Sequence, residues 1–213
     1  KDLDKRTAAA IFSQCKDANL VVDLHTFSRQ CPFVGVFIKG NANAEPLAKF
    51  ALRAINPDCI WQIDTTRAED TRYVGALDVA LTLKGIPAIS LEMERHLTIA
   101  ESMIDRVALS LLKLLAEFGM YAGEINMPPP NPRIPVFLGN YLYFDGSGIF
   151  IPKKPVLTPV KLGEELGTVF DLRLLKESPV YAPVAGTLLT IRFRDVVRTG
   201  SKLGSIGEQL GVL

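Results

Sequence analysis

The chain holds only two histidines, His25 and His96, and His25 closes the run NLVVDLHTF (19–27), where an apolar segment ends in Asp23, Leu24, His25 and Thr26. A second apolar segment, GIPAISLEM (85–93), ends in the same manner on Glu92. Strand periodicity of two puts Leu20, Val22 and Leu24 on one face and Val21, Asp23 and His25 on the other. In the second segment Ile89, Leu91 and Met93 share one face, and Ser90, Glu92 and Glu94 share the opposite one. A polar group buried without a partner costs about 1–3 kcal/mol, so both stripes need something to bind. A neutral imidazole beside a carboxylate suits a divalent metal, and zinc is the usual ion for His with Asp or Glu. A further carboxylate can take a proton from water activated by such a metal. That combination describes a metal-dependent hydrolase. The same residues also read as a core histidine donating to a backbone carbonyl and an acid held by a cap or salt bridge, and the pattern alone leaves both readings open.

The elements that must carry these side chains follow from periodicity. Helices are expected over 4–16, 46–55, 75–83 and 97–118, and strands over 20–25, 33–38, 59–63 and 86–93. Strands separated by helices predict an α/β domain over 1–120 with a mostly parallel sheet flanked by helices. In such a sheet ligands bind beyond the carboxyl ends of the strands, where His25 and Glu92 stand. The stretch INMPPPNPRIP, with five prolines in eleven residues, predicts a linker over 121–135. Beyond it, 136–213 reads as a small all-β domain of short strands punctuated by Gly and Pro.

That second part contains an internal repeat. KLGEELGTVFD (161–171) aligns without gaps to RTGSKLGSIGE (198–208), matching Gly163 with Gly200, Leu166 with Leu203, Gly167 with Gly204 and Val169 with Ile206. Gly148 and Gly186 precede the two copies at nearly equal distance. Two such hairpin units packed face to face make a sandwich that resembles biotinyl and lipoyl carrier domains. A carrier domain presents a modified lysine on a turn, and Lys176 lies in about that place, although Leu175 and Glu177 beside it depart from either consensus.

Composition narrows the partners. With 48% hydrophobic residues in 213 and a mean hydropathy of +0.20, the chain can bury a sizeable core. The balance of 24 basic against 23 acidic side chains predicts neither nucleic acid nor an anionic membrane as partner. Cys15, Cys31 and Cys59 lack zinc-knuckle spacing and read as reduced thiols in a cytoplasmic protein. No apolar run reaches membrane-spanning length, since 103–118 is interrupted by Asp105, Arg106, Lys113 and Glu117. The first residues carry neither a signal segment nor an initiator Met, so the sequence is expected to begin inside a longer gene product. A small molecule is the expected partner, and homo-oligomerisation is left open.

VVDLHT, then an α/β stretch, GIPAISLEM, a long helix, a Pro-rich link and a Gly-rich β domain together resemble the succinylglutamate desuccinylase/aspartoacylase family. The resemblance implies a zinc-carboxypeptidase-like fold with a small C-terminal β domain at the mouth of the active site. It implies Zn2+ as cofactor, with His25 as the third zinc ligand and Glu92 as the carboxylate that activates water and then passes its proton to the leaving amine. The implied substrates are small N-acyl amino acids or related amides. Two departures stand out. The family's first two ligands come from a His-x-x-Glu motif upstream, and the 22 residues before Asp23 hold no histidine. The family's acid is followed by an open Leu-Gly-Gly-like turn, where this chain has Met93, Glu94 and Arg95.

Arg67 and Arg72, in TTRAEDTRY, are candidates to meet an anionic substrate, and they read equally as solvated loop arginines. His96 reads as a cap for the 97–118 helix, and Trp61 as core. Two other functions stay open: a non-catalytic binding or carrier module working through the β domain, and an inactive fragment lacking two zinc ligands.

Overall fold

The computed structural model describes residues 3–94 and 99–213. The first half carries α1 (Leu3–Cys15), β1 (Val21–Thr26), β2 (Val34–Lys39), α2 (Glu45–Ile55), β3 (Cys59–Asp64), α3 (Leu77–Leu83), β4 (Ala88–Met93) and α4 (Glu101–Glu117). A single 3-10 turn, Thr71–Tyr73, precedes α3. Helix α2 shows why the boundaries fall where they do. Pro46 stands in its first turn, where a missing N–H costs nothing, and Asn56 ends it in the left-handed region at φ 57. Its stripe of Ala48, Ala51, Leu52 and Ile55 packs into a core with Phe33, Phe37, Ile60, Ile89, Leu91 and, from α4, Val107 and Leu114.

The second half carries β5 (Pro135–Phe144), β6 (Gly148–Pro152), β7 (Pro159–Val160), β8 (Glu165–Asp171), β9 (Lys176–Tyr181), β10 (Gly186–Ile191), β11 (Asp195–Val197) and β12 (Ser201–Val212). Among the described residues one eight-stranded sheet runs in the order β1-β4-β2-β3-β5-β12-β10-β7. It is mixed, and the expectation of a mostly parallel sheet is corrected. Pairs β1–β4, β2–β3 and β3–β5 are parallel, whereas β4–β2, β5–β12, β12–β10 and β10–β7 are antiparallel. The connection over 27–33 between β1 and β2 contains no helix. It is too short for a crossover between parallel strands, so β1 and β2 run in opposite directions and β4 lies between them.

Strands β11-β6-β8-β9 form a second, antiparallel sheet. The two sheets share a core in which Phe150, Leu166 and Val169 of the small sheet join Leu188, Leu203 and Ile206 of the large one. The repeat is visible in this geometry. Gly163 and Gly200 both take the left-handed conformation, at φ 75 and 81, and each turn is closed by the same bond, Glu164 N–H to Lys161 O and Ser201 N–H to Arg198 O. A Cβ on Gly167 would lie 2.5 Å from Ile151 O, and one on Gly204 would lie 2.1 Å from Thr190 O, so both positions require glycine for close backbone approach. Lys176, the carrier-type candidate, is exposed and opens β9 directly after the turn at 172–175.

A further cluster of Cys31, Val34, Cys59, Trp61, Phe137 and Leu189 ties the two halves together across β2, β3, β5 and β10. The three cysteines are free thiols. No helix among the described residues is long and apolar enough to cross a membrane.

Candidate active site

Strands β1 and β4 pair in parallel with His25 directly opposite Glu92. The period-two reading holds on both. Leu20, Val22, Ile89, Leu91 and Met93 pack on the core, which turns His25, Ser90 and Glu92 to the other side, where they line a cavity of about 240 Å³. Its walls are Phe27, Val36, Trp61, Ile63, Tyr73 and Ala76, and its remaining polar lining is Arg29 and Asp78. Phe27 and Trp61 stack with ring centroids 6.3 Å apart.

The polar side chains differ in how well they are satisfied. His25 Nε2 donates to Asp23 Oδ2 at 2.9 Å, because a carboxylate oxygen only accepts; in the neutral ring Nδ1 then carries the lone pair. Asp78 stands in the first turn of α3 and is held on both oxygens, accepting from Val79 N–H at 2.8 Å and from Ser90 Oγ at 2.7 Å. Glu92 Oε2, Arg29 Nε and Trp61 Nε1 are buried with no hydrogen-bond partner among the described residues. Orphaned polar atoms are rare in folded proteins; of the five among the described residues these three belong to residues lining one cavity, while Thr82 Oγ1 and Ser110 Oγ lie outside it.

Electrostatics follow from burial and neighbours. Burial pushes the Glu92 carboxyl up to about 7, with Asp78 and Asp23 adding to the rise while His25 and Arg29 oppose it. Burial pulls the His25 imidazole down, but the hydrogen bond and charge of Asp23, with Glu92 and Asp78 beyond, outweigh it and leave it raised. Burial, reinforced by the neighbouring Arg192, lowers Arg29.

The rim is built by β5, β12 and the 64–73 loop. Asp70, fully buried, accepts from Asp64 N–H at 3.0 Å, Arg67 Nη1 at 3.3 Å and Tyr141 O–H at 3.3 Å. Arg67 is thus tied to Asp70 inside the loop and does not line the cavity. Arg72 donates from Nε to Glu69 O at 2.8 Å and from Nη1 to Tyr143 Oη at 2.6 Å. Its guanidinium lies 4.3 Å from the ring centroid of Tyr141. Tyr141 Oη bonds Tyr73 Oη at 2.9 Å, which joins this rim to the cavity wall. Lys202, on β12, stands 3.7 Å over the Tyr141 ring and 5.5 Å over Trp61. His96 lies outside the described residues. Trp61 is core, at 3% exposure, and its ring is also cavity wall.

Zinc can be tested against these residues. Among the described residues no group of three or more His, Cys, Asp or Glu side chains is placed to hold a metal. The lone pair on His25 Nδ1 is one suitable donor, and a zinc site needs three protein ligands with an open position or four without. The described residues do not by themselves fit the ion.

The structure brings His25 and Glu92 together as the sequence suggested, and it adds Arg29, Asp78, Ser90, Tyr73, Tyr141 and Lys202. Arg29 follows His25 by four residues. Lys202 had a signal in the repeat, where it replaces the matching Glu165. Nothing local marked Tyr141, whose place depends on the pairing of β5 with β3 and β12.

Comparison with known proteins bears on the fold. Neither family models nor curated protein sequences give a match. Among solved structures, the ectoine utilization protein EutE (DoeB) from Ruegeria pomeroyi superposes over 97% of this chain and 66% of its own, with a TM-score of 0.77 at 16% identity. A succinylglutamate desuccinylase/aspartoacylase from Rhodobacter sphaeroides matches over 96% and 62%, with a TM-score of 0.78 at 14% identity. An aspartoacylase family protein from Mesorhizobium loti matches over 98% and 69%, with a TM-score of 0.73 at 16% identity. The chain thus has the fold of the succinylglutamate desuccinylase/aspartoacylase proteins, and it spans less than two thirds of the length of the first two structures.

Proposed function

We propose that the chain carries the acid/base half of a deacylase that hydrolyses the amide bond of small N-acyl amino acids. The observation that carries this reading is Glu92. It is a carboxyl group turned into an apolar-walled cavity, with Oε2 unpartnered, opposite an imidazole and within the field of Arg29. A general base works best when its pKa lies near the working pH, and burial has brought Glu92 to that range. In this reading Glu92 takes a proton from a water molecule in the cavity, and the water oxygen attacks the amide carbonyl. Arg29, whose Nε has no partner, is the cation placed to hold the developing oxyanion. Glu92 then returns the proton to the leaving amine as the C–N bond breaks. Asp23 orients His25, and Asp78 holds Ser90 against the cavity wall. Zn2+ enters the proposal only as an ion toward which His25 Nδ1 would supply one donor. No step is routed through it, because the described residues do not complete its shell.

Two features beyond Glu92 support a small acidic amide as substrate. The cavity of about 240 Å³ fits a compact molecule, and its rim is cationic, with Arg72 and Lys202 on Tyr141. The first test is release of free amine from a panel of N-acyl amino acids. Release is expected from members with a second carboxylate, and no release from any member would overturn the proposal.

A further inference from the structure

A second recess lies on the other side of the sheet from Glu92. The alternation that turns Val36, Trp61 and Ile63 toward the first cavity turns Phe37, Ile60 and Gln62 the opposite way. There, beneath α2, they line a separate cavity of about 280 Å³. Phe37 and Gln62 are register partners across β2 and β3, and Ile60 is the partner of Val136 on β5, so three neighbouring strands make its floor. Lys49, Leu52 and Arg53 of α2 form one wall, and Val212 and Leu213 form the other. None of these residues lines the first cavity.

The polar groups of this recess are not what packing asks for. Gln62 is half-buried on the side of β3 that faces α2, where Ile60 and Leu52 are almost fully buried. An apolar residue would complete that layer, yet the Gln62 amide stands there with no hydrogen-bond partner among the described residues. Arg53 stands in the last turn of α2, where a cation suits the carboxyl end of a helix. Its guanidinium nevertheless makes no hydrogen bond or ion pair among the described residues. Arg106, which also reaches this end of α2, is by contrast satisfied by Asp58 at 2.8 Å and Asn56 O at 3.3 Å. One turn before Arg53, Lys49 is neutralised by Glu45 at 3.1 Å, and its ammonium lies 5.0 Å from the centroid of the Phe37 ring. No acidic side chain lines the recess, which leaves one uncompensated cation and one free amide in it.

We propose that the recess under α2 is a second ligand site that takes a short-chain monocarboxylate, its carboxylate on Arg53 and Gln62 and its hydrocarbon end against Val136 and Val212. A guanidinium offers parallel donors that match the two oxygens of a carboxylate, and the Gln62 amide adds a further N–H donor. A single negative charge matches the single cation left unpaired, because Lys49 is already held by Glu45. The apolar wall selects an organic acid over an inorganic ion, which would leave Val136 and Val212 uncovered. The confined volume favours a short chain over a long one. The two cavities lie back to back on β3, since Trp61 and Ile63, which flank Gln62, wall the first. Occupation of the second requires no turnover in the first, so this site stands apart from the hydrolase reading.

The test is a titration of isotope-labelled protein with isovalerate, followed by NMR on the side-chain amide pair of Gln62, which is assigned by its loss in Gln62→Leu. Acetate, inorganic phosphate and isopentyl alcohol are the comparisons, and Arg53→Met, Gln62→Leu and Arg72→Met are the variants. The expected result is a saturable shift with isovalerate at concentrations at least about tenfold below those needed for any of the three comparisons, because only isovalerate joins the charge to the hydrocarbon. Arg53→Met should weaken isovalerate by about tenfold or more, the scale of one charge-assisted contact. Gln62→Leu, read on the backbone amide of its register partner Phe37, should weaken it by about threefold or more. Arg72→Met, at the rim of the first cavity, should leave the affinity unchanged. Arg53 is exposed and Gln62→Leu adds an apolar side chain to an apolar layer, so both variants are expected to fold, and a thermal melt verifies this. A flat titration, the alcohol or phosphate binding as tightly as isovalerate, or full affinity in Arg53→Met would overturn the site. Affinity lost in Arg72→Met and kept in Arg53→Met would place isovalerate in the first cavity and overturn it equally. Failure to release amine from N-acyl amino acids would sink the hydrolase reading and leave this site standing.

Discussion

At the scale of single residues, the cavity and its rim hold groups whose charges are set by opposite consequences of burial. A carboxyl is pushed up and an ammonium is pushed down, so Glu92 and Lys202 both arrive at about 7. For Lys202 the leading cause is burial, followed by Arg29 and Arg72, while Asp70 and Glu92 oppose the shift. This has a consequence for stability. The folded value lies below the ordinary 10.5, so between about 7 and 10.5 the unfolded chain binds more protons at this site than the folded chain. Its contribution to stability therefore rises as pH increases through that window, and the penalty is fully present below about 7. Thermal melts of the wild type and Lys202→Met at pH values across the window should show the midpoint difference between them shrinking as pH rises, with the variant the more stable at the acidic end. A difference independent of pH would mean that Lys202 is not desolvated in the folded chain.

At the scale of elements, most of the strands and helices were legible because period-two stripes and helical stripes are local properties. The faces of β1 and β4 follow directly from alternation, and so does the meeting of His25 with Glu92 once those strands pair. Strand direction was not legible from periodicity, since a strand buried on both faces looks the same in parallel and antiparallel company. The length of the 27–33 connection held the missing information, because it has no room for a crossover helix. The repeat was legible down to its turns, and it makes a quantitative prediction about Gly204. A Cβ there meets the backbone oxygen of Thr190 at 2.1 Å, and backbone cannot rotate away as a side chain does. Gly204→Ala should cost about 1–3 kcal/mol of stability. Gly211→Ala, which meets nothing within 4 Å, should stay within about 0.5 kcal/mol of the wild type. Denaturant titration separates the two. Equal stabilities would show that β10 and β12 do not approach as closely as described.

At the scale of the whole molecule, the cavity is lined by the first half and rimmed in part by the second. His25, Arg29 and Glu92 come from the α/β strands and the loop after β1, whereas Tyr141 and Lys202 come from strands that extend the same sheet beyond β3. This is why the candidate site was only partly visible in the sequence: DLHT and GIPAISLE are contiguous strings, but Tyr141 and Lys202 of the rim stand 49 and 110 residues beyond Glu92. The central claim is that this assembled cavity performs general acid/base chemistry through Glu92. The most direct measurement is the rate of amine release from an acidic N-acyl amino acid by Glu92→Gln, with a thermal melt of the same preparation. Glu92→Gln should lower kcat by about 10²- to 10⁴-fold, the usual contribution of one general acid/base, while the melt shows the chain still folded. Undiminished turnover in Glu92→Gln would contradict the assignment.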